Sequence, residues 1–105
     1  MKIAVSAKAP DIRAEVDPGF GNCRHVLAVD INSMEFEPIR DIGASGGTGV
    51  RAAQLVVEKK LKILLTGEVP PKAQQIFSEA DIQVYTGVSG RVCDAVDAYR
   101  KVIFG

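Results

Sequence analysis

From Val50 onward the chain alternates three helical stretches with two short apolar runs, and this alternation constrains the fold more than any other feature. Over residues 50–62 the polar positions Arg51, Gln54, Glu58 and Lys62 make one narrow stripe at helical spacing, and nearly everything else is apolar. A helix over Val50–Lys60 with so broad an apolar surface lies flat on a sheet. Lys62–Thr66 (KILLT) is then a short buried strand. Pro70 and Pro71 open a second helix, because the N–H that proline lacks is one a first turn leaves unbonded. Ala73, Ile76, Phe77 and Ala80 fall at i, i+3, i+4 and i+7 and mark its core face. Gln83–Thr86 is the next strand. Ser89 is placed to cap a last helix whose core face is Val92, Ala95, Val96, Tyr99 and Ile103. Units of this kind make right-handed crossovers between parallel strands.

The first half follows another pattern. Lys2–Ala7, with β-branched Ile3 and Val5, is a buried strand. Lys8–Asn22, rich in Pro, Asp and Gly, is expected to be a long loop. Arg24–Ile31 alternates as a second strand. Asn32-Ser33 is a turn, and Met34–Arg40 is a third strand antiparallel to the second, at the sheet edge because of Pro38. Asp41–Gly49, with four glycines, is a loop. The predicted order is βββαβαβα: an α/β domain over residues 1–105, with a mixed five-stranded sheet and helices on its faces.

Open α/β sheets bind ligands beyond the carboxyl ends of their parallel strands. Those ends are Ser6-Ala7-Lys8, Thr66-Gly67-Glu68 and Thr86-Gly87. The same edge receives the end of the first loop, with Cys23, Arg24 and His25, and the glycine segment Ser45-Gly46-Gly47-Thr48-Gly49 before the first helix. Free backbone amides and a helix N-terminus favour an anion there. The segment has neither the lysine of a phosphate-binding P-loop nor dinucleotide spacing, and a plain connector is the other reading. A thiol and an imidazole two residues apart suit metal–sulfur ligation if Cys23 opens the strand, because Cys23 and His25 then share a face. A packing role is the stronger reading of each residue type on its own.

Thirteen Lys and Arg balance thirteen Asp and Glu. That excludes a general polyanion binder, which needs a basic excess, so nucleic acid is not an expected partner. No apolar run is long enough to span a membrane, and the start is too quickly polar for a signal peptide. A cytoplasmic protein with two free thiols, Cys23 and Cys93, is expected. No acid, base and nucleophile converge, so no enzyme is expected.

Several segments together resemble the dinitrogenase iron–molybdenum cofactor biosynthesis family, the NifX/NafY-like domains also found at the end of NifB. They are Lys2-Ile3-Ala4-Val5, the run from Val16 through Phe20-Gly21-Asn22-Cys23, the run from Ala44 to Leu55, Ile63–Val69 and Ile82–Gly87. The resemblance implies a ribonuclease H-like fold. It also implies a non-catalytic carrier of iron–molybdenum cofactor or an iron–sulfur precursor, with a cluster-assembly or acceptor protein as partner. The chain departs from the family pattern at Gly19, where many members have His, at Asn22, where Arg is usual, and at Pro70, where a glycine is usual. The expected site for the cluster is Cys23, Arg24, His25, Ser45, Gly46, Gly47, Thr48, Gly49, Thr66 and Gly67, with Cys23 and His25 as metal ligands. A metal-free regulatory or interaction module is the alternative. A hydrolase of this fold would need carboxylates on the first strand, which carries none.

Overall fold

The computed structural model describes residues 1–39 and 47–104. Its elements are β1 (Lys2–Ala7), a 3₁₀ turn (Phe20–Asn22), β2 (His25–Asp30), β3 (Phe36–Pro38), α1 (Val50–Glu58), β4 (Ile63–Leu65), α2 (Pro71–Glu79), β5 (Gln83–Tyr85) and α3 (Val92–Phe104). The five strands form one sheet in the order β3-β2-β1-β4-β5. β2 runs antiparallel to β1 and β3, whereas β4 and β5 run parallel to β1. The carboxyl ends of β1, β4 and β5 therefore share one edge.

Both sheet faces are covered. On one, Ala4, Val26, Ala28 and Leu64 meet Ala52, Ala53, Leu55 and Val56 of α1 and Ala73 and Phe77 of α2. Small residues on both sides let the helices approach closely, and Phe20 and Phe77, with ring centroids 5.3 Å apart edge to face, fill what remains. On the other face, Ile3, Val5, Leu27, Val29, Ile63 and Leu65 meet Val92, Ala95, Val96 and Tyr99 of α3. Ile103 lies past the sheet and is 41 % exposed, so the predicted core face of α3 ends one turn early.

α1 and α2 leave by the same device. Lys60 and Asp81 take positive φ (60° and 58°). The next residues, Leu61 and Ile82, donate back to the carbonyls of Val56 and Phe77. This is the Schellman arrangement, without the glycine that usually occupies it. It stops α1 at Glu58, two residues before the predicted end, and turns buried Leu61 and Ile82 toward β4 and β5.

Two further expectations change. Met34 has φ 65° and belongs to the turn after β2, so the third strand is only Phe36–Pro38. The segment 8–22 is not a loose loop. Lys8 and Val16 donate to Glu15 and Gly90, Asp17 to Ser6, and Phe20 to Glu68, all through the backbone. Ala14 and Ile12 accept from the N–H groups of Val92 and Cys93, the first turn of α3. Backbone carbonyls thus do the capping predicted for Ser89. No helix among the described residues is long and apolar enough to cross a membrane.

Candidate functional site

The strap formed by residues 8–22 crosses the edge where the parallel strands end, and buried hydroxyls fasten it there. Ser6 at the end of β1 and Thr66 beyond β4 are fully buried. Ser6 Oγ donates to the Asp17 carbonyl at 2.8 Å, so its one proton is committed. Thr66 Oγ1, 2.8 Å from Ser6 Oγ, is then the donor in that pair. Thr66 N–H donates to Tyr85, and its carbonyl accepts from Val88. Both donors of Thr66, its N–H and its hydroxyl, are thus committed within the fold, which gives it a fastening role. Ser6→Ala strands a buried carbonyl and leaves the Thr66 hydroxyl without its acceptor, and is expected to cost about 2–3 kcal/mol. Thr66→Val keeps the Ser6–Asp17 bond and is expected to cost about 1 kcal/mol. Urea unfolding of the two variants checks the ranking.

Glycines set how closely the strap lies. A Cβ on Gly67 would collide with the backbone of Pro18, and one on Gly21 with the Gly47 carbonyl and the Pro70 ring. Gly49, the residue before α1, has φ 68° and faces the Phe20 ring. The 3₁₀ turn is therefore locked against the N-terminus of α1, with Asn22 Oδ1 facing Gly47. No side chain of Gly49 caps α1, and no acidic residue lies in its first turn. The Val50 N–H reaches Thr48 Oγ1 at 3.4 Å. Such a helix start keeps its positive end toward the edge.

The predicted ligand pair separates. Cys23 is 4 % exposed and packs in the layer beneath α1 and α2 with Phe20 and Val26. β2 begins only at His25, which lies opposite Ala7 in the register. Ala7, Leu27 and Val29 face α3, and His25 follows their alternation. Cys23 precedes the strand, as the residue that closes the 3₁₀ turn just after Asn22, so strand alternation does not reach it, and the two side chains face opposite layers. Burial, reinforced by the Asp17 carboxylate, pushes the Cys23 thiol up to about 12. It is a thiol and not a ready thiolate ligand in this conformation.

Arg24 is exposed two residues beyond this turn, and Gly47 and Gly49 meet the turn itself through Gly21 and Phe20. Gly67 lies under Pro18. Ser45 and Gly46 lie outside the described residues. Among the described residues no group of three or more His, Cys, Asp or Glu side chains is placed to hold a metal ion. The structure thus brings Asn22, Gly47 and Gly49 together, with exposed Arg24 close by in the chain, while Thr66 is held by Ser6 and His25 faces the α3 layer. Asn22 is the residue that sequence reasoning missed, and Ser6, read there as part of the rim, fastens the strap instead. Asn22 stood in the sequence as a departure from a motif, and the Gly21–Gly47 contact that makes it a neighbour of α1 is tertiary.

The profile of the dinitrogenase iron–molybdenum cofactor family matches residues 1–102. The chain belongs to this family. Its structure is similar to the apo form of the orange protein from Desulfovibrio gigas, with a TM-score of 0.81 and 31 % identity, over 96 % of this chain and 88 % of that one. A Thermotoga protein of the DUF35 family, described as a candidate NifB protein, superposes with a TM-score of 0.80 at 25 % identity, over 95 % of this chain and 87 % of that one. An uncharacterized protein of Methanocaldococcus jannaschii is 29 % identical, over 96 % of this chain and 86 % of its own length.

Proposed function

We propose that this family member is a small, non-catalytic carrier of an anionic metal–sulfur cluster of the iron–molybdenum or iron–sulfur type. Its cargo is held at the start of α1 by Arg24, Asn22 and the backbone of Gly47–Gly49, with Ser45 and Gly46 as the adjoining part of the glycine segment. The observation that supports this reading is the packing of the Phe20–Asn22 turn on Gly47 and Gly49 at the start of α1, with exposed Arg24 two residues beyond the turn. Both favour a bound anion. The apo form solved for the orange protein supports the same direction. The strand order, with β2 antiparallel, supports a ribonuclease H-like classification. Direct ligation by Cys23 requires the turn to lift, and His25 faces the other layer. A carrier hands its cargo on, so a cluster-assembly or acceptor protein is the implied partner.

The test is anaerobic reconstitution with iron, sulfide and molybdate, reading bound metal and charge-transfer absorption. Wild type is expected to bind, Cys23→Ala to bind as well, and Arg24→Glu to lose about tenfold or more in affinity. Failure of wild type to bind overturns the carrier reading in favour of a metal-free interaction module. Loss of binding in a folded Cys23→Ala variant overturns the amide-cradle site in favour of thiolate ligation. With a formal net charge of zero, attraction is local, and affinity is expected to fall only gently with salt.

A further inference from the structure

On the face of the sheet opposite α1 and α2, the outer side of α3 carries Asp94, Ala98, Lys101 and Val102, all exposed. Their spacing of i, i+4, i+7 and i+8 makes them one stripe. Val102 is 79 % exposed. A groove of about 310 Å³ runs beside the stripe between α3 and β5, floored by Leu65, Tyr85, Val88 and Tyr99. Tyr85 stands over the groove with its ring 5.5 Å from that of Tyr99, and it is 41 % exposed. Water against this much apolar surface is unfavourable, and a covered groove would relieve it.

Shape and charge along α3 have one symmetry. Val102, largely exposed, lines one end of this single groove, and Val88, Ser89 and Asp94 line the hollow at its other end. Ala98, between them, is small enough to let a helix approach closely. Asp94 in the first turn has no ion pair among the described residues. In the last turns, Arg100 and Lys101 share the single carboxylate of Asp97, at 3.9 and 3.3 Å. The N-terminal part of the stripe is thus acidic and the C-terminal part basic. If a second α3 lies antiparallel with a two-fold axis near Ala98, each residue meets the one equally far on the other side of that axis. Val102 of each copy then enters the hollow of the other, and Lys101 of each comes within reach of Asp94 of the other. A foreign partner would need none of this self-matching.

We propose that α3 and its groove form a two-fold, self-complementary interface with a second copy of this chain. The thirteen residues of α3 span about 20 Å. The buried area is then at the low end of specific interfaces, and the dimer dissociates on dilution. The interface leaves the start of α1 open, so it is independent of the cluster reading.

Sedimentation equilibrium from micromolar to millimolar protein tests it. Wild type is expected to rise from the mass of one chain toward that of two. Val102→Glu is expected to remain monomeric throughout. Asp94→Lys and Lys101→Asp each replace two attractions with two repulsions and are expected to weaken dimerisation about tenfold. The double variant, with both charges exchanged, is expected to return to within about threefold of wild type. These positions are exposed, so circular dichroism and melting temperature stay near wild type and report that the variants are folded. A wild type that is monomeric at millimolar concentration overturns the proposal, as does a dimer that Val102→Glu leaves intact. A double exchange that fails to restore association overturns the antiparallel register.

Discussion

Gly67→Ala is expected to unfold at a temperature about 10–20 °C below wild type, with Gly21→Ala close behind. In each case the added methyl meets rigid groups. On Gly67 it enters the space of Pro18 Cα, C and O, and on Gly21 it meets the Gly47 carbonyl and the Pro70 ring. No flexible side-chain end can swing aside, so the strap itself must move. Moving it strains the backbone pair between Ser6 and Asp17 and the bond from Phe20 to Glu68. Overpacking of this kind costs about 1–3 kcal/mol, and the strained hydrogen bonds add to it. Thermal unfolding by circular dichroism checks the size. Gly87→Ala is the control. Gly87 also has positive φ (71°), but nothing lies within 4 Å of its Cβ position, so that variant loses only the backbone preference, about 1 kcal/mol. If Gly67→Ala and Gly87→Ala melt together, close packing of the strap is not what Gly67 provides.

The strap also shows where sequence reading stops. β1, β2, α1, α2 and α3 were legible because each repeats one period over enough residues to bury a face. Residues 8–22 repeat nothing. Ile12, Val16 and Phe20 are spaced irregularly among Pro, Gly and Asp, and composition alone reads as a loop. Yet Val16 and Phe20 are buried, because the segment adds backbone bonds to ends of elements that are far away in sequence. Such long-range pairing leaves no local pattern. The exits of α1 and α2 were hidden for a different reason: Lys60 and Asp81 occupy a left-handed position where glycine is the recognisable signal. Met34 took part in an alternation that suggested strand, and a turn conformation overrode it.

The candidate site was legible to the same depth. The rim followed from topology, and the family followed from an ordered set of short segments that the profile matches over residues 1–102. The ligand pair did not follow, because its logic rested on a strand beginning at Cys23. The strand begins at His25, and two residues are enough to exchange a rim ligand for a core thiol. Gly21, Gly49 and Gly67 were readable as small residues near an edge, but only the folded chain shows that each one meets the strap or is part of it.

In a Cys93→Ser background, Cys23 is expected to react with iodoacetamide at pH 8 on the order of 10³-fold more slowly in the folded protein than in urea. Burial and the Asp17 carboxylate move its pKa from 9.0 to about 12, and only the thiolate attacks. The same shift sets an alkaline signature. Between about pH 9 and 12 the folded chain holds a proton that the unfolded chain has released, so it binds more protons and loses stability as pH rises. The contribution is complete below about pH 9 and gone above about pH 12, and it amounts to at most about 4 kcal/mol over that window. Cys23→Ser has nothing to titrate there, so the difference between the two proteins in urea unfolding, measured at successive pH values, isolates the thiol from Lys and Tyr titrations common to both. A wild type whose alkaline slope equals that of Cys23→Ser, or a Cys23 alkylated as fast folded as unfolded, means that the turn opens freely. The result bears directly on the cargo. A cluster bound through Cys23 must displace this proton, so its affinity would rise about tenfold per pH unit up to about pH 12. A cluster cradled by Arg24 and the amides before α1 displaces no proton, and its affinity stays level until the cluster itself titrates. The pH dependence of reconstitution therefore separates the two modes without altering a residue.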